Sequence, residues 1–239
     1  MPDEKHYELK VDQVTKRFGN LIALDKCSLQ IPANGIFGLV GPNGSGKTTL
    51  FNIITGFSRA DSGRILFRGR EISNSSPNTI SRLGLVRTFQ LPRVFSSLSV
   101  LENLEALRPH SVGKARIEEL LSVMSLKDQR NTLAAHLSYG EKKQLDIAGA
   151  LMLDPAILLL DEPTAGLEPS LIKTMIDQIK YVSDQKKGVF IIEHNMSVIM
   201  NLAEQIFVLH NGIKLAEGAP SIISKDQKVI DAYLGIGSE

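Results

Sequence analysis

Long apolar runs are missing from this sequence. The nearest candidate, Ile147 to Leu160, is cut by Asp154-Pro155 and falls short of the roughly 20 apolar residues that a bilayer-crossing helix needs. A protein of this kind works at a membrane only by docking on a protein already there. Met1 to Lys10 are polar and charged, so no signal peptide is expected. Cysteine occurs once, which excludes an internal disulfide and suits a reducing compartment. Cys27 sits among apolar positions and reads as core packing. Charge of one sign is missing too: 27 Lys and Arg face 26 Asp and Glu, for a net +1. That balance argues against a basic nucleic-acid binder and against a polybasic membrane-surface protein. Internal repeats, coiled-coil heptads and low-complexity segments are absent as well. With 43% apolar residues among 239, the chain can bury one large domain, or a core with a subdomain.

What is present is concentrated in Gly41-Pro42-Asn43-Gly44-Ser45-Gly46-Lys47-Thr48-Thr49. The outer glycines, Lys47 and Thr48 fit the phosphate-binding loop (Walker A) pattern. Glycines let the backbone curl into a nest of N–H donors around anionic oxygens. A helix starting near Gly46 would add its positive dipole end to that pocket. Lys47 could then reach the β- and γ-phosphates, and the Thr48 hydroxyl is placed to ligate Mg²⁺. By chance alone the pattern arises in on the order of one chain in a hundred of this size, and a Gly-rich turn capping an ordinary helix would look similar. The flanks decide. Ile36-Phe37-Gly38-Leu39-Val40 reads as a buried strand, and Leu50, Ile53 and Ile54 give the next segment an apolar helical face. The chain is expected to bind a nucleoside triphosphate.

A second anchor follows. Ala156-Ile157-Leu158-Leu159-Leu160-Asp161-Glu162 is an apolar strand ending in two carboxylates. Ligands of parallel sheets sit at the carboxyl ends of the strands, so both acids would face the phosphates. Asp161 suits Mg²⁺, usually through water, and Glu162 suits polarising an attacking water. Either acid alone would read as an acidic loop. A switch that only binds nucleotide does not need the second carboxylate, whereas hydrolysis does.

Around these anchors, Tyr7 to Val14, Ile22 to Ile31 and Arg64 to Phe67 read as hairpin strands. From about Arg87 to Met152 the pattern is helical, with one helix beginning at Leu98 to Leu104 and an apolar stripe at Ile117, Leu120, Leu121 and Met124 on another. Beyond Pro155, strand-length runs at Ile157 to Leu160 and Val189 to Ile192 flank an amphipathic helix marked by Leu171, Met175, Ile179 and Val182. His210-Asn211-Gly212 reads as a hairpin turn. Strand and helix in alternation imply a mostly parallel sheet covered on both faces.

Leu137-Ser138-Tyr139-Gly140-Glu141 ahead of a helix, then Leu160-Asp161-Glu162-Pro163-Thr164, resembles the signature and Walker B region of ABC-type ATPases. The resemblance spans essentially the whole chain. It implies an α/β P-loop NTPase core with a mostly parallel sheet (1–86 and 154–239), carrying an antiparallel β subdomain, and an inserted helical subdomain (87–153). Phe18 matches the aromatic that stacks on adenine, and Gln90 the glutamine between core and helical subdomain. His194 matches the histidine that contacts the γ-phosphate, and Ala165-Gly166-Leu167-Glu168 the dimer-contacting loop. Taken singly, Phe18 would more often be core, Gln90 a solvated loop residue and His194 a satisfied polar group. Their order on this scaffold makes the set specific. Tyr139 stands where Gly is commoner, Glu141 where Gln is commoner and Glu168 where Asp is commoner. The phosphate contacts of the signature come from the Ser138 hydroxyl and the Gly140 amide.

The resemblance further implies ATP and Mg²⁺ as ligands. The metal would be held by Thr48, Gln90 and Asp161, and hydrolysis carried by Glu162, His194 and Gln90. It implies a head-to-tail dimer, with the signature of one subunit closing over ATP on the loop of the other, whether a second copy or a sister chain. ABC-type ATPases without membrane spans usually drive separate transmembrane permease subunits from the cytoplasmic face of the membrane. A substrate-binding protein is then an indirect partner, and no nucleic acid is expected. Arg87-Thr88-Phe89-Gln90, Ile192-Glu193-His194-Asn195-Met196 and the tail Val229-Ile230-Asp231-Ala232-Tyr233-Leu234-Gly235 resemble branched-chain amino-acid importer ATPases. Related urea and lipopolysaccharide transporter ATPases are the alternatives, followed by a soluble ABC-type ATPase outside transport. The stretch between Leu104 and Leu137 is shorter than in the main amino-acid branch. Lys47→Ala is expected to weaken ATP binding, read by equilibrium titration; affinity equal to that of the unsubstituted chain would refute the assignment of Lys47.

Overall fold

The structure is a computed structural model and describes residues 7–234. Met1–His6 of the polar N-terminal stretch and Gly235 of the tail motif lie outside the described residues. The strands are β1 (Tyr7–Phe18), β2 (Leu21–Pro32), β3 (Gly35–Val40), β4 (Ser62–Phe67), β5 (Arg70–Glu71), β6 (Leu85–Arg87), β7 (Ile157–Asp161), β8 (Gly188–Ile192), β9 (Gln205–His210) and β10 (Ile213–Gly218). The helices are α1 (Lys47–Ile54), α2 (Pro77–Arg82), α3 (Val100–Leu107), α4 (Lys114–Val123), α5 (Tyr139–Met152), α6 (Pro169–Asp184), α7 (Met196–Leu202), α8 (Pro220–Ile223) and α9 (Gln227–Leu234).

The strands form two sheets. One runs in the order β10-β9-β3-β8-β7-β6 and the other β2-β1-β4-β5. In the larger sheet, β9, β3, β8, β7 and β6 are parallel neighbours and β10 is an antiparallel edge. The smaller sheet is antiparallel throughout. Every residue of β3, β7 and β8 is buried, as expected where a parallel sheet is covered on both faces. Alternation then sorts the side chains. Phe37, Leu39, Leu159, Phe190 and Ile192 join Leu50, Phe51, Ile53 and the inner face of the smaller sheet. Val40, Leu158, Leu160, Val189 and Ile191 join α5, α6 and the residues Val100, Leu104, Ile117, Leu120 and Leu121. Phe190 of β8 meets Phe51 of α1 at 5.0 Å and Phe207 of β9 at 6.1 Å between ring centroids.

The antiparallel sheet, the mostly parallel sheet and the helices between β6 and β7 agree with the expected fold class. The differences are at boundaries. β1 continues past Val14 to Phe18, through register shifts where it pairs with β2. Arg87, where the sequence pattern turned helical, instead ends β6 and pairs with Leu159. A strand of this length has no periodicity to reveal it. The His210-Asn211-Gly212 turn joins β9 to β10 with positive φ at Asn211 and Gly212, and Ile213 pairs with His210. Cys27 is buried.

The phosphate loop follows β3 because glycine alone fits two of its positions. A Cβ at Gly41 (φ 153°) would lie 2.1 Å from the carbonyl oxygen of Leu209, and one at Gly46 (φ 103°) 2.5 Å from that of Ala23. Gly46 then caps α1, whose buried Leu50, Ile53 and Ile54 tie the loop to the core. Gly46→Ala is expected to lower the unfolding free energy by about 1–3 kcal/mol, measured by urea denaturation. An unchanged midpoint would mean that the backbone at Ala23 can yield.

Candidate active site

Lys47 is buried, with 5% of its surface exposed. Its ammonium donates to the carbonyl oxygens of Gly41 (2.8 Å) and Pro42 (2.9 Å). Burial holds it below the ordinary lysine range, and the charges of Glu162 and Asp161 oppose that shift. The loop opens on a cavity of about 410 Å³ lined by Phe18, Asn43, Gly44, Gly46, Lys47, Thr48, Thr49, Glu162 and His194, with Leu21 and Ala23 on the same wall. Phe18 is 53% exposed there, at the end of β1. Pro42 and Ser45 complete the loop, and Gly41 closes its start against Leu209.

Two carboxylates leave the end of β7. Asp161 accepts from the Arg87 guanidinium at 2.6 Å, and both side chains are almost wholly buried. The same guanidinium donates to Asn52 of α1 at 2.8 Å, so one cation ties β6, β7 and α1 together. Burial holds Arg87 below the ordinary arginine range, and Asp161 opposes the shift. Glu162 has φ +51°, an uncommon conformation for a residue with a Cβ. Gln90 Nε2 donates to one of its oxygens at 2.9 Å, and His194 Nε2 lies 2.7 Å from the other. The structure thus brings Gln90, Glu162 and His194 together. Thr48, Gln90 and Asp161 line a second cavity, of about 590 Å³, with Arg87, Phe89 and Arg93.

The motif after Leu137 behaves as a helix start. Ser138 caps α5 in a capping box: its hydroxyl accepts from Glu141 N–H, and the Glu141 carboxylate accepts from Ser138 N–H. Glutamate closes the box here, as the commoner glutamine can. Gly140 is buried against Leu171 and Leu167. Tyr139 lies across Gly166, and its hydroxyl donates to the Gln90 carbonyl at 3.2 Å. Neither Ser138 nor Gly140 lines the Lys47 cavity of its own chain.

Sequence reasoning missed three buried charged groups at this site. Arg87 entered only as part of a family motif, and Lys143 and Glu193 had no role. Lys143, on α5, donates to the carbonyl oxygens of Glu162 (2.6 Å) and Pro163 (3.2 Å). Glu193 accepts from Thr164 N–H and hydroxyl, and from the N–H groups of His194 and Asn195. The available signal was a charged residue beside each motif, with no apolar period to explain it.

A phosphate loop after β3, facing two carboxylates at the end of β7, the parallel strand beyond β8 in the same sheet, defines a phosphate-loop nucleoside triphosphatase. The chain belongs to the ABC transporter family, whose model matches residues 24–165, and it is an ATPase. A further model, described as branched-chain amino acid ATP-binding cassette transporter, matches residues 214–237. The chain is 36% identical to the probable branched-chain amino acid transport ATP-binding protein LivG of Archaeoglobus fulgidus, over 95% of each. An ATP-binding cassette of an ABC transporter, solved in its ADP conformation, superposes with a TM-score of 0.86 at 31% identity, over 96% of this chain and 99% of the other. A cassette solved as a dimer in a post-hydrolysis state with ADP and Pi gives 0.78 at 26% identity, over 89% of this chain and 98% of the other.

Asp146 gives this region a pH dependence. It lies on α5 against the backbone N–H groups of Phe89 and Arg93, and burial pushes its carboxyl up to about 7 against their pull. A carboxyl raised in the folded state binds its proton more tightly there. Its contribution to stability is full below the unfolded value near 4 and is lost as pH rises through about 7. Asp146→Asn is therefore expected to melt above the unsubstituted chain at about pH 8 and level with it near pH 4. A gap that does not widen with pH would refute this.

Proposed function

We propose that this chain is the ATP-hydrolysing motor subunit of an importer for branched-chain amino acids, working on separate permease subunits at the cytoplasmic face of the membrane. The observation that carries the hydrolytic part is the convergence of Gln90 and His194 on Glu162 beside the Lys47 cavity. Support for the cargo is the match over residues 214–237 and the kinship with LivG. Among the described residues no helix is long and apolar enough to cross a membrane, in keeping with a subunit that docks on others.

Each residue has a task in this reading. Phe18 offers its exposed ring to the base. The amides from Asn43 to Thr49 and the Lys47 ammonium surround the phosphates, which draw the ammonium away from the Gly41 and Pro42 carbonyls. Thr48, Asp161 and Gln90 offer hard oxygen ligands in one cavity, a donor set suited to Mg²⁺, and the metal would neutralise charge on the β- and γ-phosphates. Arg87 occupies one Asp161 oxygen and orients the other. Glu162 takes the proton from the attacking water, while Gln90 and His194 fix the carboxylate and His194 reaches the γ-phosphate.

The pairing follows from the place of Ser138. It caps a helix N-terminus, where an anion is favoured, yet it does not line the cavity of its own chain, so its phosphate comes from a second subunit. That subunit is a second copy or a sister chain. The groove for a permease helix lies where residues 87–153, taken as a helical subdomain, meet the core. Leu91 stands exposed there beside Phe57, Phe89 and Arg93. A substrate-binding protein would act through the permease.

Glu162→Gln keeps the geometry and removes the carboxylate charge. It is expected to bind ATP with unchanged affinity, to lose turnover and to form a dimer with ATP·Mg²⁺ by light scattering. Normal turnover would defeat the general-base assignment, and a monomer at saturating ATP would defeat the self-paired form.

A further inference from the structure

We infer that Lys143 is a positioning residue for Glu162, through which the signature helix of a subunit holds the carboxylate of that subunit's own site. The inference rests on the proposed ATPase site and its head-to-tail pairing. Glu162 bends the chain through φ +51° immediately after β7. A residue with a Cβ keeps that conformation only where its surroundings hold it. On one side its N–H donates to the Ile192 carbonyl. On the other, its carbonyl and that of Pro163 both accept from the Lys143 ammonium, at 2.6 and 3.2 Å. Lys143 is 4% exposed, so these carbonyls take the place of water around a buried cation.

The charge is balanced nearby. Burial holds the Lys143 ammonium below the ordinary lysine range, with Glu193 and then Glu162 opposing. Glu193, 2% exposed, grips the turn from the far side. Its carboxylate accepts from Thr164 N–H and Oγ1, at 3.0 and 2.6 Å, and from the N–H groups of His194 and Asn195. Lys143 and Glu193 thus clamp the backbone of the segment 162–164, and Glu193 also fixes the loop that carries His194. Tyr139, on the same helix as Lys143, bonds the Gln90 carbonyl, while the Gln90 amide bonds the Glu162 carboxylate. Helix α5 therefore reaches Glu162 by two routes, and its first residues are those that face the partner's nucleotide. A shift of α5 on pairing moves the ammonium and, with it, the turn that aims the carboxylate.

A prop for the fold would lose binding, pairing and turnover together; a positioning residue loses turnover while binding and pairing remain. The experiment uses the full-length chain and measures kcat, the Kd for ATP, the melting temperature and, in the Glu162→Gln background, ATP-driven dimerisation. Lys143→Met keeps length and volume but has no donor. It is expected to lower kcat by about ten-fold or more, leaving the Kd and the dimer in place with a melting temperature lowered by the two carbonyls left without a donor, and Lys143→Arg is expected to recover most of the loss. An unchanged kcat overturns the proposal, as does a weaker Kd or a lost dimer in step with kcat. Glu193→Gln keeps its shape and forms the second arm, with a fall in kcat at unchanged Kd. Unsubstituted kcat in that variant overturns the proposal even where the methionine variant fails to fold. An unsubstituted chain with no ATP turnover fails the proposed function itself, which separates that failure from the failure of Lys143.

Discussion

A buried ammonium is the constraint around which this protein is arranged. Lys47 cannot be desolvated without oxygen partners, and the loop supplies them as its own carbonyls, those of Gly41 and Pro42. The loop is shaped as much by that cation as by its glycines. Because those partners are backbone atoms, the curl survives only where the chain ends are fixed. The central strand β3 fixes one end and α1 the other. The fields of Asp161 and Glu162 add to the balance from β7, so a phosphate entering the cavity meets a cation already shared between two kinds of oxygen.

Much of this was legible in the sequence because the elements that build the site are local and periodic. β3, α1, β7, β8 and the β9–β10 turn all sit where apolar runs and turn chemistry put them. The gathering of Gln90, Glu162 and His194 rested on motif order, since no short-range pattern brings residues so far apart in the chain to one carboxylate. Arg87, Lys143 and Glu193 escaped for a physical reason. Each is a charged residue buried by tertiary contact, and a sequence pattern that equates charge with solvent assigns such residues to the surface. β6 escaped for want of length, and its partner on β7 is what makes it a strand.

Two of the family departures have a structural use here. Glu141 closes a reciprocal cap with Ser138, whose hydroxyl and N–H hold its carboxyl below the usual carboxylate range against the opposing effect of burial. Tyr139 fills the space over Gly166 in the loop after β7 and spans from there to Gln90. The start of α5 is consequently joined both to the loop after β7 and to Gln90 at the second cavity. For Glu168 the structure shows a backbone cap to α6 and no side-chain hydrogen bond, so nothing within one chain explains that residue.

The strand order carries a consequence for how the protein is made. β3 and its phosphate loop are among the first elements to be synthesised, yet both sheet neighbours of β3, β8 and β9, belong to the last third of the chain. The carbonyl that presses on Gly41 comes from Leu209. On the ribosome, the oldest part of the active site thus waits for the youngest before it has a sheet to belong to. Non-local pairing of this kind is the slow step of parallel sheets, and throughout that wait an apolar strand stands without partners. Competence to hold nucleotide arrives late and all at once, so a truncated chain that keeps every phosphate-loop residue still lacks the walls that give the loop its shape.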